Sequence, residues 1–161
     1  MNGVCQSGLT GTDCSTVVLP KLCFISSHDE CRGPMAAAVY NHFAGKKGLS
    51  WHAVSAGLSV EGREMSVGAV KALEAKGING SHDMPLGHIP FEVTDAMLSG
   101  CELAVCVCFA CANELAQRFP GYAHKLVTLS RDISSVSGES PAAYRRCLDE
   151  LILVIRKDFD L

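Results

Sequence analysis

The stretch that most constrains what this chain can fold into is Lys21 to Met35, KLCFISSHDECRGPM. Leu22, Cys23, Phe24 and Ile25 form an apolar block bounded by polar residues, which reads as a strand covered on both faces. Ser26 to Cys31 are small or polar and form a loop, and Pro34 suits the first position of a helix, where an N–H is dispensable. A strand, a loop and a helix in this order aim backbone N–H groups and the positive helix end into one concavity. Arg32 adds a fork of donors that matches a phosphate face. The junction fits an oxyanion site built from Ser27, His28, Asp29, Glu30, Cys31 and Arg32. It fits equally an ordinary strand-to-helix turn with a solvated arginine, so the motif alone leaves both readings open.

The rest of the chain alternates strand and helix patterns. A helix is predicted over Pro34 to Ala44, with Met35, Ala38, Val39 and Phe43 as its apolar stripe, then a strand over Trp51 to Ser55. A helix over Glu64 to Lys76 ends at Gly77, a residue suited to positive φ. Ser81 to Pro90 is a proline-containing loop and Phe91 to Leu98 a short helix. A cysteine-rich strand, a helix over Ala110 to Phe119, a strand over Lys125 to Leu129 and a last helix over Pro141 to Asp158 follow. This alternation predicts an α/β fold: three layers, α/β/α, with a four-stranded parallel sheet and ligands at the carboxyl ends of the strands. The loop after the first strand lies at such an end. Met1 to Pro20 shows no period and reads as an N-terminal extension to a single domain over 21–161.

Composition narrows the function classes. The chain has 161 residues, 48% hydrophobic and 19% charged, enough for one core. A net charge of −3 gives no general attraction to nucleic acid or acidic membrane. There is no apolar run of about 18 residues and no charged-then-apolar start, so neither a membrane span nor a secretory signal is expected, and the location expected is cytoplasmic. Nine cysteines are many for this length. Cys23, Cys106, Cys108 and Cys147 fall on apolar patterns, where a thiol behaves as a small hydrophobe, and free thiols are expected. Cys106, Cys108 and Cys111 lack partners at zinc spacing, so no metal and no cofactor is expected.

Ile25 to Ala36, ISSHDECRGPMA, resembles the phosphate loop of the low-molecular-weight protein-tyrosine phosphatases and their relatives, the arsenate reductases and protein-arginine phosphatases. Their pattern is a buried strand followed by Cys-x-Gly-Asn-x-Cys-Arg-Ser-Pro-Met-Ala. Cys31, Arg32, Pro34, Met35 and Ala36 fall in register, whereas Ser26 stands at the nucleophilic cysteine and His28-Asp29 at the Gly-Asn pair. The likeness continues through WHAVSAG (Trp51 to Gly57), Ala69 to Ile78 with Ser81-His82, the strand Glu102 to Cys108, the helix Asn113 to Pro120, and DISSVSGESPAAY (Asp132 to Tyr144), which parallels the loop bearing the general acid. Here Ser135 takes the place of the acid Asp and Val136 that of its Pro.

The resemblance implies a thiolate that attacks phosphorus, a cradle with Arg32, and an acid for the leaving oxygen. This chain keeps the cradle and lacks the other two. It is expected to bind phosphate, a phosphorylated protein or a small phosphomonoester, and to be a weak or inactive phosphatase. His28 is expected to point out of the loop rather than serve Ser26 as a base, and Asp29 and Asp132 to be solvated or capping carboxylates. Two alternatives stay open: an active phosphotyrosine or phosphoarginine hydrolase, trapped as a Cys-to-Ser variant or using another nucleophile, and a thiol redox protein of arsenate-reductase type. For the latter the resemblance places Cys108 at a resolving position and Cys31 in the loop, with a Cys31 to Cys108 or Cys106 to Cys111 linkage. His28, Ser59, Met84 and Ser137 are candidate pocket walls.

Overall fold

The computed structural model describes residues 22–62, 64–78 and 87–161. Four strands, β1 (Leu22–Ser26), β2 (Ala53–Gly57), β3 (Leu103–Cys106) and β4 (Leu126–Thr128), form one sheet in the order β2-β1-β3-β4, with every neighbouring pair parallel. The chain leaves β1 toward one edge to make β2 and returns on the other side for β3. The carboxyl ends of β1 and β3 therefore flank the point where strand order reverses, the crevice in which open α/β sheets place their ligands.

Both faces of the sheet are covered, as the unbroken apolar run of β1 requires. Leu22 and Phe24 point to one side, into a core shared with α1 (Arg32–Lys46), α2 (Val67–Ala75) and α5 (Pro141–Asp158). Cys23 and Ile25 point to the other, where Leu98 of α3 (Asp95–Gly100) and Leu115 of α4 (Phe109–Arg118) close a second core. Ala36, Ala37 and Ala38 are all fully buried, so α1 seats its backbone close to its neighbours with no side chain to order. Asn41 ties this helix to the edge strand: its Nδ2 donates to the Ala53 carbonyl at 2.9 Å and its Oδ1 accepts from the Ala53 N–H at 2.7 Å. Asn41→Ala leaves two backbone groups of β2 without these partners and is expected to destabilise the protein by about 2–4 kcal/mol, readable as a lower urea midpoint with unchanged slope.

The last helix begins and ends as the sequence predicts, while other boundaries move for identifiable reasons. α1 starts at Arg32, not Pro34; the proline is its third residue and still occupies a position whose N–H has no intrahelical acceptor. α2 is shorter than expected because the chain stays non-helical through Ser66, and Gly77 closes its end with φ +70°. The short helix expected over Phe91 to Leu98 lies instead at Asp95–Gly100, started by Thr94, whose Oγ1 accepts from the Met97 N–H at 3.2 Å. Phe91 to Val93 are extended against Gly57: the Gly57 N–H donates to the Phe91 carbonyl at 2.7 Å and the Val93 N–H to the Gly57 carbonyl at 2.8 Å. Lys125 belongs to a 3₁₀ turn over Pro120–Lys125, not to β4, and its ammonium donates to the carbonyls of Leu98, Ser99 and Cys101 at the end of α3. Among the described residues no helix is long and apolar enough to cross a membrane.

Candidate functional site

The loop between β1 and α1 is held from three sides. Leu58 and Ser59 N–H groups donate to the Ser26 and Ser27 carbonyls at 3.0 and 2.9 Å, and the Ser66 N–H to the Glu30 carbonyl at 2.7 Å. From β3, the Val107 N–H reaches the Ile25 carbonyl at 3.0 Å. Among the described residues no backbone carbonyl takes the amides of His28, Glu30 or Cys31, which leaves these donors to the loop's interior or to solvent. Gly57 is needed for the close approach of β2: a Cβ there would stand 2.9 Å from the His28 carbonyl carbon and 3.0 Å from the Asp29 nitrogen, both backbone atoms. Gly57→Ala is therefore expected to cost about 1–3 kcal/mol by overpacking and to displace the loop, seen as a lower Tm with weaker phosphate protection.

Ser26 ends β1 with 2% exposure, and its Oγ accepts the Asp29 N–H at 3.2 Å. His28 is exposed, its Nδ1 donating to the Ser59 carbonyl at 2.7 Å, so it turns away from Ser26 as anticipated. Asp29 departs from expectation. It is neither solvated nor a cap but fully buried, in the left-handed region at φ +57°, with Oδ2 accepting from His88 Nε2 and the Phe91 N–H, both at 2.9 Å. Asp is among the few non-glycine residues that tolerate that backbone region. Its Oδ1 is buried without a partner among the described residues. It faces Gly33, where a Cβ would stand 3.2 Å from Oδ1 and 2.7 Å from Ser26 Oγ; a larger residue at 33 forces the serine hydroxyl to rotate.

Arg32 begins α1 and is 9% exposed. Its Nη1 donates to the Ile133 carbonyl at 2.8 Å and its Nη2 to Ser27 Oγ at 3.1 Å. Residues 26–32 and Ser135 and Ser137 of the loop before α5 together line one cavity of about 20 Å³, room for about one water molecule. Entry of a phosphate-sized anion thus requires the arginine or the loop to move. Asp132 accepts the Phe109 N–H at 2.8 Å and so caps the start of α4, one of the two roles expected of it. Tyr144 braces this side, its hydroxyl oxygen accepting from Ser66 Oγ at 2.8 Å and from the Gly138 N–H at 3.0 Å.

Two sets of thiols lie close together in the structure. Cys108 caps α4 and is hydrogen-bonded to Cys111, Sγ to Sγ 2.7 Å, while its sulfur also accepts the Cys111 N–H at 3.4 Å. Cys31 shares a core with Cys147 of α5, close enough for the two thiols to shift one another. The bond with Cys111 and the nearby Arg32 lower the Cys108 thiol from its ordinary value near 9.0 to about 6 against the opposing effect of burial, and Cys108 in turn pushes the Cys111 thiol up. Cys147 is lowered by its bond with Cys31, whose own thiol is raised by the same bond and by burial.

Residues 21–145 match the family of the low molecular weight phosphotyrosine protein phosphatases. The chain belongs to this family. It is 27% identical over 143 residues to a protein-arginine-phosphatase of Bacillus subtilis (strain 168), covering 83% of this chain and 91% of the relative. Among solved structures it is similar to the low molecular weight protein tyrosine phosphatase of T. tengcongensis, with TM-score 0.78 and 26% identity over 88% of this chain and 98% of the other. It is also similar to the YwlE arginine phosphatase as a cysteine-to-serine mutant with a phosphorylated active-site serine, TM-score 0.79 and 26% identity over 87% and 93% of the two chains.

Within this phosphatase-family frame the sequence reading missed His88 altogether and missed the partners of two cysteines that it had named. His88, the partner of Asp29, had no signal beyond a histidine in a proline-containing loop, and the Ser81-His82 pair and Met84 lie outside the described residues. Cys147 lies over a hundred residues from Cys31. Cys111 had a signal: Cys108-Phe-Ala-Cys111 at a helix start is the spacing at which two thiols share one helical turn.

Proposed function

We infer that this protein binds a phosphorylated ligand, a phosphoprotein or small phosphomonoester, through residues 26–32 with Arg32 as the charge partner, and turns it over weakly or not at all. The single observation that carries this reading is Ser26 at the base of the loop: its oxygen only accepts, from the Asp29 N–H, and among the described residues no base is hydrogen-bonded to it. A hydroxyl without an adjacent base is a weak nucleophile, whereas a thiol beside a guanidinium and a helix start ionises readily. Ser135 lines the same cavity as a hydroxyl that does not ionise, so a leaving oxygen finds no strong acid there. The departures at Ser26, His28, Asp29 and Ser135 together favour natural degeneration over a single engineered change.

One observation favours a second reading: the serine in the mutant arginine phosphatase is phosphorylated. On this reading Ser26 attacks phosphorus, the new O–P bond replaces the substrate's O–P or N–P bond, and the hydroxyl proton ends on the leaving oxygen or nitrogen. The phosphoserine then persists, because its hydrolysis expels an alkoxide where the family expels a thiolate. Incubation with p-nitrophenyl phosphate separates the two. Binding without turnover releases no nitrophenol, and trapping releases one equivalent with phosphate attached at Ser26 by mass spectrometry. Sustained release at an enzyme-like rate that is lost in Ser26→Ala overturns both.

A further inference from the structure

Seven cysteines of the described region are free, and four of them lie in two pairs near Arg32. The pairs differ in kind. Cys31 and Cys147 join two helices, and the Cys31 thiol is held protonated by that bond and by burial. Cys108 and Cys111 occupy a single helical turn at the start of α4, where the Cys111 N–H already donates to the Cys108 sulfur and the helix dipole favours a thiolate. Cys108 keeps 7% exposure and Cys111 2%, so an oxidant reaches Cys108 first. The topology puts this pair beside the phosphate loop: α4 follows β3, β3 neighbours β1, and Ser27 Oγ, already bonded to Arg32, lies 3.7 Å from Cys111 Sγ.

Arg32 is hydrogen-bonded to the Ile133 carbonyl and the Ser27 hydroxyl, and the Cys108 sulfur lies near enough to feel its charge. Of these only the sulfur can carry a full negative charge. It acts as a built-in anion on the guanidinium that an external oxyanion needs.

We propose that Cys108 and Cys111 are a redox centre that a hydroperoxide converts to an intramolecular disulfide, and that this conversion releases Arg32 to an oxyanion; the second half rests on the phosphate-binding reading above. The Cys108 thiolate attacks one peroxide oxygen, the O–O bond breaks, the alcohol or water leaves with a proton from solvent, and Cys108 becomes a sulfenic acid. The Cys111 sulfur then attacks the Cys108 sulfur, the S–S bond forms, the S–O bond breaks, and water leaves with the Cys111 proton. Two thiols lose two electrons and the hydroperoxide is reduced to an alcohol, or water, and water. A dithiol reductant reverses the step by exchange.

The pH dependence has a definite sign. Below about 6 Cys108 is a neutral thiol and Arg32 is unopposed; above it the thiolate competes for the guanidinium. The groups facing Cys108 are Cys111 of α4, Arg32 of α1 and Cys106 of β3, whose own thiol is raised to about 12. Asp132 stands at the adjoining Phe109 amide.

The test uses the whole protein, reduced or treated with one equivalent of hydrogen peroxide, alkylated and mapped by mass spectrometry, with sulfate as the calorimetric probe because its charge is constant across this pH range. The expected map shows a Cys108–Cys111 disulfide. Above the Cys108 transition, sulfate binds about tenfold tighter to the oxidised than to the reduced protein, the scale at which an opposite charge within 4–6 Å alters ion affinity; below it the gap closes. Cys108→Ser binds sulfate like the oxidised protein and ignores peroxide. A Cys31–Cys147 link with Cys108 and Cys111 still free overturns the redox centre. Equal sulfate affinity in both redox states overturns the release of Arg32. No sulfate binding in any form overturns the phosphate-pocket reading and the gating with it, while the disulfide map still decides the chemistry of the pair.

Discussion

Ser26→Cys/Ser135→Asp is expected to hydrolyse p-nitrophenyl phosphate about 10³- to 10⁵-fold faster than the protein as it stands, with Ser26→Cys alone supplying the larger part and the acid about 10² or more. The nucleophile's share is large because a thiol at the end of β1 would sit beside the helix start and Arg32, the setting that lowers a thiol's pKa. One feature of the loop works against the restored enzyme. Ser26 Oγ and Asp29 Oδ1 both approach Gly33, which places them within about 6 Å of each other, the range in which a like charge disfavours ionisation. A thiolate at 26 faces that carboxylate, so adding Asp29→Asn is expected to raise the rate about tenfold more. The amide retains the acceptor for the Phe91 N–H. Steady-state rates of the four proteins check this. An enzyme-like rate in the unmodified protein, abolished in Ser26→Ala, would show that the serine is a working nucleophile and that degeneration is the wrong description.

Arg32→Ala is expected to abolish the stabilisation that phosphate confers. A ligand at about 100 times its Kd adds about 2.7 kcal/mol, which for a chain of this size is a Tm rise of about 5–10 °C. The variant should show no rise, together with a lower starting Tm. The starting Tm falls because the Ile133 carbonyl and Ser27 hydroxyl lose their donor in a buried setting. Arg32→Lys separates the two effects: it keeps the charge and loses the planar fork, so part of the phosphate response should return. A full rise in Arg32→Ala places the anion elsewhere on the molecule. Differential scanning at several phosphate concentrations distinguishes these outcomes.

Much of the framework was legible in the residues. The apolar run of β1 required cover on both faces, and Gly77 marked a helix end. These features depend on short-range sterics and on periodicity, both written along the chain. Boundaries drifted where a local pattern fitted two structures, as with Phe91 to Val93. Helical spacing suggested a turn of helix there, and pairing with Gly57 held the backbone extended instead.

Within the candidate site the division runs along the same line. Ser26, Arg32 and Ser135 could be named from the chain because their places follow from a motif with fixed spacing, and residues 26–32 with Ser135 do line one cavity. Where each polar group finds its partner could not be named. Asp29 reads as a surface acid until residues 88 and 91, some sixty positions away, close over it. Cys31 reads as a partner for Cys108 until α5 brings Cys147 beside it, while Cys108 turns to Cys111 within its own helical turn. The sequence by itself determined which reactive atoms the loop carries, hydroxyls at Ser26 and Ser135, since that is a matter of which residues are present. Only the tertiary structure decided which charges and thiols stand against Arg32, since burial and pairing depend on contacts between segments that no local pattern encodes.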